Sequence, residues 1–211
     1  MDCSDISGGR KPTPRRAAKR ERILDAARAL FAREGLEGAS LRAIAAEAGY
    51  TPAALYFHFA SKEAIYAALL QESLAALEAE VSTAVARATT PEGRFAAAAR
   101  AFFGFYAERP QDLSLGFYLF RGGLAPRGLG PDLDPLLNAA LMRALRPMEA
   151  AARELGASAQ DAEATMEAAF AHAAGLLLLE HTGRIRLFGA QARKLMRAHI
   201  KRILRDLEAT P

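Results

Sequence analysis

The chain has 211 residues, 51% hydrophobic and 25% charged, so it can bury a core and is not disordered throughout. Its net charge is +4, and its single cysteine, Cys3, excludes an internal disulfide framework and a cysteine-based zinc site, which fits a reducing cytoplasm. No apolar run reaches the ~18 residues of a membrane span and Met1–Arg10 lacks the apolar core of a signal peptide, so we expect no membrane partner.

The choice of apolar residues predicts an all-α fold. Alanine and leucine dominate, whereas Val and Ile together number only nine. Helices favour Ala, Leu, Arg and Glu, and strands favour β-branched residues.

Caps and breaks divide the chain into about nine predicted helices. Residues 1–14 are expected to be a disordered basic tail. The helices are then predicted at about 17–34, ended by a left-handed Gly35, and at about 41–48, 52–59, 62–88, 91–109, 111–121, 132–155 with a kink at Pro147, 159–181 and 189–208.

The segment from Ser40 to Phe59 has helix-turn-helix spacing. Ser40 and Thr51 are candidate N-caps, and Gly49 separates the two short helices. In such a unit the N-terminal half of the second helix enters the major groove of DNA. Here that half begins at Pro52, and Leu55 and Phe59 are expected in the core.

A basic cluster precedes this unit. Its members are Arg10, Lys11, Arg15, Arg16, Lys19, Arg20 and Arg22, opposed only by Glu21. This pattern fits a phosphate-binding arm, but it equally fits a solvated tail and helix face.

Residues 22–70 resemble the N-terminal domain of TetR/AcrR transcriptional regulators. The resemblance is carried by Ile23-Leu24-Asp25-Ala26-Ala27, Leu30-Phe31, Gly35, Ser40-Leu41-Arg42-Ala43-Ile44-Ala45, Ala48-Gly49-Tyr50-Thr51, Leu55-Tyr56-Phe57-His58-Phe59 and Ser61-Lys62-Glu63. Tyr50 stands where the family commonly has Val. The rest of the chain resembles the family only in length and helicity.

The resemblance implies a DNA-binding surface. It comprises Ser40, Arg42, Thr51, Pro52, Ala53, Ala54, Tyr56, Phe57, His58 and Lys62. Ser40 and Thr51 would reach phosphates besides capping helices, and Arg42 would bind a phosphate or a guanine edge. Tyr56, His58 and Lys62 match phosphate-binding positions. Phe57 is expected on the exposed face, where a large apolar side chain needs a reason such as packing on DNA.

Eight of the sixteen aromatic residues fall between Phe95 and Phe120, and this cluster predicts either a plain core or an effector pocket. In the family, the helices that follow the DNA-binding domain enclose such a pocket for a small molecule. The candidate lining is Phe95, Phe102, Phe103, Tyr106, Phe117, Tyr118, Met142, Met166, Phe170 and His172. Its effector would be apolar or aromatic. His172 alone fits a hydrogen-bonded core histidine better than a ligand contact.

The eighth helix carries small residues on one face. They are Ala164, Ala168, Ala171 and Gly175, which Leu176 and Leu179 extend. A small-residue face lets helices approach closely, either inside one chain or between two. The resemblance implies that the last two helices pair with their copies in a homodimer, which would bind a pseudopalindromic operator.

Enzymatic signatures are missing from the sequence, and no cofactor or metal is predicted. There is no Gly-x-Gly-x-x-Gly, no P-loop, no His-Glu-x-x-His and no Glu-x-x-His pair. The prediction is a dimeric repressor of double-stranded DNA operators, released by an apolar effector. Its domains would be a tail at 1–14, a helix-turn-helix domain at 15–62, and a ligand-binding and dimerisation domain at 63–211. The alternatives are an all-α enzyme or carrier with a hydrophobic cavity, and an architectural DNA binder without an effector.

Overall fold

The computed structural model describes residues 14–116 and 128–209, and these fold into nine α-helices and one 3-10 helix without a strand. The helices are α1 (Pro14–Gly38), α2 (Leu41–Glu47), α3 (Pro52–Tyr56), α4 (Lys62–Ala86), α5 (Pro91–Glu108), α6 (Pro110–Gly116), α7 (Asp134–Glu154), α8 (Ala159–His181) and α9 (Ala192–Glu208). The all-α prediction is confirmed. In this part of the chain, none of the helices combines the length and apolarity needed to cross a bilayer.

The chain divides into two compact units, one up to Ala68 and the other from Leu69 onward. The division falls within α4, six residues after the predicted boundary at its first turn. Each unit has its own core.

Unit 1 is built around the apolar face of α1. Ile23, Ala27 and Phe31, spaced four residues apart, are buried together with Leu24 and Leu30. This spacing places them on one side of a helix. The apolar face of α1 therefore forms the core of unit 1.

The end of α1 differs from the prediction. Gly35 has φ 73° and ψ 177°, a conformation that is open essentially to glycine alone but is not the left-handed helical cap expected there. The backbone kinks at Gly35 and resumes one further helical turn to Gly38.

Residues of α3 and of the start of α4 complete the core of unit 1. Leu55 and Phe59 are buried, as predicted. Phe31 meets Tyr66 edge to face, with ring centroids 5.1 Å apart. Large aromatic rings therefore fix the interior of this small unit.

Unit 2 is a bundle in which α5 packs against α7, α8 and α9. Its centre is the aromatic face of α5, where Phe95, Phe102, Phe103 and Tyr106 are all buried. Ser158 caps α8 by accepting from the backbone N–H of Asp161 at 3.1 Å, which confirms that predicted start.

The remaining predicted boundaries need small corrections. The helix α7 runs without a break through Pro147. A 3-10 helix at Arg184–Phe188, which the sequence did not indicate, precedes α9, so α9 begins at Ala192 and not near Gly189. Of the tail predicted at 1–14, Pro14 instead begins α1 and residues 1–13 lie outside the described residues, as do the end of the predicted sixth helix and most of the loop after it.

Candidate nucleic-acid interface

The turn between α2 and α3 is set by backbone hydrogen bonds around Gly49. The N–H of Tyr50 donates to the carbonyl of Ala45 at 2.8 Å, and the N–H of Gly49 donates to that of Ala46 at 3.1 Å. This pair of bonds is a Schellman motif, which requires the positive φ of 73° that Gly49 adopts. The chain thereby ends α2 sharply and turns into α3.

Hydroxyl groups cap both helices of the motif. The Ser40 side chain accepts from the N–H of Ala43 at 3.2 Å, and the Thr51 side chain accepts from the N–H of Ala54 at 3.3 Å. Both side chains are exposed, so each hydroxyl can still reach a phosphate. The predicted capping is confirmed; the phosphate contacts stay predictions.

The exposed side of α3 carries the predicted DNA-facing residues. Phe57 is 82% exposed and Tyr56 is 58% exposed, whereas Leu55 of α3 is fully buried. Pro52 and Ala53 are exposed and Ala54 is half-buried beside them, and Arg42 is exposed on α2. The predicted exposure of Phe57 is therefore confirmed, and α3 presents an apolar and aromatic surface with few polar groups.

Cations of α1 share a groove with α3. The groove measures about 860 Å³, and its walls are Arg15, Arg16, Lys19 and Ile23 of α1 together with Tyr50, Thr51, Ala53, Ala54, Phe57 and His58. The sequence pointed to the basic cluster but not to its place beside α3. The spacing of the cations could have indicated a shared surface, because positions 15, 16 and 19 fall on one side of a helix.

Aromatic rings position the cations of α1. The Lys19 ammonium lies 6.0 Å from the ring centroid of Tyr50, and the Arg20 guanidinium lies 5.4 Å from that of Phe59. Both distances are within the range of a cation–π attraction. Tyr50, which replaces the Val common at this position, thus supplies a contact to α1.

His58 lies half-buried in the wall of this groove. Its partial burial, followed by the positive charges of Arg16, Lys19 and Arg20, lowers the pKa of the imidazole. Both effects act in the same direction because both disfavour the charged form. The charged form of His58 is therefore disfavoured in the free protein.

Lys62 has a structural role that the sequence did not indicate. Its ammonium donates to the carbonyl of Leu36 at 2.9 Å and to that of Ala39 at 3.4 Å. These carbonyls lie at the end of α1, where a cation satisfies acceptors left without helical partners. The side chain predicted to bind phosphate is thus directed toward the backbone of its own unit.

The residues predicted to line an effector pocket lie in the core of unit 2. Phe102 meets Tyr106 and Phe170 edge to face, with centroids 5.3 and 5.7 Å apart. Phe95, Phe103 and Met166 are buried, and Met142 and His172 are half-buried. Phe117 and Tyr118 lie outside the described residues. The structure therefore brings three of the predicted residues together, with Tyr106 and Phe170 both in contact with Phe102.

The residues predicted to form a dimer interface lie mainly on the surface of α8. Ala164, Ala168, Ala171 and Gly175 are exposed, and Leu179 is half-buried. Leu176, which was expected to extend this face, is instead buried within the unit, and Leu178 is 53% exposed. A groove of about 390 Å³ runs along this face, where Ala164 and Ala168 lie opposite Ile203 and Leu207 of α9.

The comparisons with known proteins converge on one family. The model for the bacterial regulatory proteins of the tetR family matches residues 23–69. The chain is 36% identical over 77 residues to the HTH-type transcriptional repressor AcnR of Corynebacterium glutamicum, covering 36% of this chain and 39% of AcnR. It is 36% identical over 110 residues to the HTH-type transcriptional activator FasR of Mycolicibacterium smegmatis, covering 52% and 49%.

These sequence matches span about half or less of the relatives' length, whereas a structural match spans nearly the whole chain. The transcriptional regulator FadR of Bacillus subtilis, solved in complex with stearoyl-CoA, superposes with a TM-score of 0.68 at 17% identity, covering 87% of this chain and 96% of FadR. At this identity the match shows a shared fold. Residues 23–69 are thus similar to the DNA-binding domain of the tetR family of bacterial regulatory proteins, and the chain as a whole shares the fold of FadR.

Proposed function

We propose that this protein is a DNA-binding transcriptional regulator that binds a palindromic operator as a homodimer and releases it when a small apolar effector binds. The observation that carries the DNA-binding part is the groove in which α1 cations and the exposed side of α3 lie together. Cations bind the phosphates, while side chains of a recognition helix contact base edges.

The proposed contacts divide by chemistry. Arg15, Arg16, Lys19 and the hydroxyls of Ser40 and Thr51 suit phosphates, as do Tyr56, His58 and Lys62. Arg42 suits a phosphate or guanine, and Pro52, Ala53, Ala54 and Phe57 offer apolar contacts such as those to thymine methyl groups. Because few polar side chains face the bases, we propose that DNA shape contributes to specificity.

The proposed homodimer rests on the small-residue face of α8. A row of exposed alanines and a glycine allows a second helix to approach closely, and Leu178 and Leu179 add apolar surface at one end. A twofold dimer would carry two α3 helices and would therefore bind two half-sites of opposite orientation.

The proposed effector is apolar and binds in unit 2. The aromatic set around Phe102 supplies the surface for it, and FadR, which shares the fold, was solved with stearoyl-CoA. Since these rings contact one another in the structure, a ligand must separate them. An effector that binds the separated state preferentially would shift the population toward it and lower DNA affinity.

The test of DNA binding is a selection of duplexes from a random pool by the purified full-length protein. A regulator enriches one pseudopalindromic sequence, whose affinity is then measured by fluorescence anisotropy at several salt concentrations. An architectural binder retains all sequences alike. Failure to retain any duplex, even at low salt, would reject DNA binding and favour an enzyme or carrier.

The test of the effector uses the selected duplex. Long-chain acyl-CoA, free fatty acid and aromatic compounds are screened for a rise in melting temperature, and each hit is then added to the protein–DNA complex at fixed dimer concentration. We expect a hit to lower the affinity for DNA. A ligand that binds tightly without changing that affinity contradicts the proposed release.

A further inference from the structure

His58 occupies a concave site on which Arg16, Lys19 and Arg20 impose positive charge. It follows α3, and its own backbone N–H donates to the carbonyl of Leu55 at 2.8 Å, which fixes the position of its backbone. Across the groove, α1 presents Arg15, Arg16 and Lys19. The imidazole is therefore held where an anion entering the groove would meet it together with these cations.

The charged groups around His58 come from one side. Arg16, Lys19 and Arg20 act on it from α1, and Arg15 lines the same groove. From the turn and from α3 the titratable side chains are Tyr50 and Tyr56, and neither is a carboxylate. Without a bound anion, these surroundings favour the neutral imidazole.

We propose that a DNA phosphodiester occupies the groove between α1 and α3, and that His58 takes up one proton from solution when this phosphate binds. The inference rests on the proposed DNA binding and adds a dependence of that binding on pH. A phosphodiester carries a negative charge throughout the physiological pH range, so its arrival offsets part of the positive charge around the ring and places an anion beside it. The imidazolium then has two N–H donors for phosphate oxygens, and these are charge-assisted hydrogen bonds.

Proton uptake makes DNA affinity depend on pH. By linkage, if DNA favours the protonated ring, protons favour the DNA complex to the same extent. Affinity therefore rises as pH falls through the interval between the pKa of His58 in the free protein and its higher pKa in the complex. The rise approaches tenfold per pH unit for each His58 that takes up a full proton. The protein would bind its operator more tightly in a more acidic cell.

The experiment counts protons directly. The full-length protein binds the selected duplex in a calorimeter at pH 7 and fixed ionic strength, in phosphate and in Tris, whose ionisation enthalpies differ. The dependence of the binding enthalpy on the buffer gives the number of protons taken up per chain. We expect a value above zero and up to one for the wild type, and near zero for His58→Gln. Gln keeps a donor and an acceptor but does not titrate.

A matched control separates His58 from other histidines. His181 of unit 2 lies near the end of α8, where its Nε2 is 3.0 Å from the carbonyl oxygen of Tyr106. The His181→Gln variant is expected to take up as many protons as the wild type. Equal proton counts in the wild type and in His58→Gln overturn the inference while the proposed DNA binding stands.

A second measurement decides the matter if His58→Gln binds DNA too weakly for calorimetry. The Cε1–H resonance of His58 in the wild-type protein is followed by NMR between pH 5 and pH 8, with and without the duplex. A higher midpoint in the complex supports the inference, and an unchanged or lower midpoint overturns it. Absence of binding to any duplex overturns the proposed function and the inference with it.

Discussion

The imidazole rings of His172 and His199 stack on each other, with centroids 3.8 Å apart and planes 25° apart, and so connect α8 to α9. A guanidinium nitrogen of Arg202 lies 2.8 Å from Nδ1 of His199. Because a guanidinium only donates, this Nδ1 accepts, and the neutral ring carries its hydrogen on Nε2. The Nε2 atoms of both histidines are buried.

Acid is expected to weaken this pairing. The pKa of His172 is lowered mainly by burial and further by the positive charge of Arg202. The pKa of His199 is lowered mainly by burial and further by His172 and Arg202. Both groups bind protons more readily in the unfolded chain, so their contribution to stability is complete above the ordinary pKa of about 6.5 and decreases as pH falls below it. The free energy of unfolding in urea, measured from pH 8 to pH 5, should show this loss.

The variant His172→Gln isolates the stack from other acid effects. It removes one titrating ring, so its unfolding free energy should fall less between pH 7 and pH 5 than that of the wild type. His181→Gln serves as the control and should follow the wild type. An equal loss of unfolding free energy between pH 7 and pH 5 in the wild type and in His172→Gln would contradict the interpretation that protonation of this histidine pair destabilises the fold.

Lys62→Met should destabilise unit 1. It removes the charged donor to the carbonyls of Leu36 and Ala39 and leaves these acceptors without that partner. Hydrogen bonds from charged groups contribute about 1.5–3 kcal/mol, so we expect a loss near the lower value at this half-buried site. Urea unfolding and amide hydrogen exchange around Ala39 measure it. Lys201→Met, an exposed position on α9, is the control and should change stability little.

The same variant distinguishes the two roles of Lys62. A purely structural lysine predicts that stability falls and that DNA affinity, measured well below the melting temperature, changes little. A phosphate-binding lysine predicts unchanged stability and a loss of affinity with a weaker dependence on salt. Reduced affinity at full stability would show that the ammonium leaves its carbonyl partners when DNA binds.

Phe57→Ala should separate binding from folding. Its ring is 82% exposed, so its removal should alter the unfolding free energy by less than about 0.5 kcal/mol. We expect DNA affinity to fall at least about fivefold, which corresponds to about 1 kcal/mol. Leu55→Ala, two positions away and fully buried, should instead cost about 2–5 kcal/mol of stability. Full affinity in Phe57→Ala would exclude the ring from the interface.

Local signals predicted unit 1 well because each boundary depends on near neighbours. The hydroxyls of Ser40 and Thr51 bond to amides three residues away, and Gly49 supplies a conformation that few other residues adopt. The end of α1 was placed less accurately. The bonds from Lys62 to Leu36 and Ala39 bridge more than twenty residues, and no short pattern contains them.

Unit 2 was predicted only as a set of helices, since its contacts join distant parts of the chain. The sequence placed His172 in an apolar helix and suggested a hydrogen-bonded core histidine. The stacked contact with the ring of His199, which lies on another helix, could not be predicted from a local pattern. Likewise, the burial of Leu176 and the exposure of Gly175 depend on which side of α8 meets α5 and α9, and the alanine-rich face did not specify this.

Lys19→Gln should reduce the salt dependence of DNA binding. Each phosphate that a cation neutralises releases counterions and adds about 0.9 to the slope of log affinity against log salt. The loss of one contact per chain should therefore lower that slope by about 0.9 per chain, with a similar loss of affinity for all sequences. Lys194→Gln, exposed on α9, should leave the slope unchanged. An unaltered slope in Lys19→Gln would remove Lys19 from the phosphate contacts.

Gly175→Ala tests whether the exposed face of α8 is the seam of a homodimer. Within one chain a Cβ at position 175 meets nothing within 4 Å, so Ala should stabilise the helix by about 1 kcal/mol. Gly104 of α5 also has nothing within 4 Å of an added Cβ, and Gly104→Ala is therefore a matched control with the same expected gain.

The two glycine variants should differ only in association. Where two helices approach closely, an added methyl group overpacks the contact at a cost of about 1–3 kcal/mol. We therefore expect the dimer dissociation constant of Gly175→Ala, measured by sedimentation velocity, to rise by about 5-fold to 150-fold. Gly104→Ala should keep the wild-type value. If both variants dimerise as the wild type does, the exposed face of α8 is not the dimer interface.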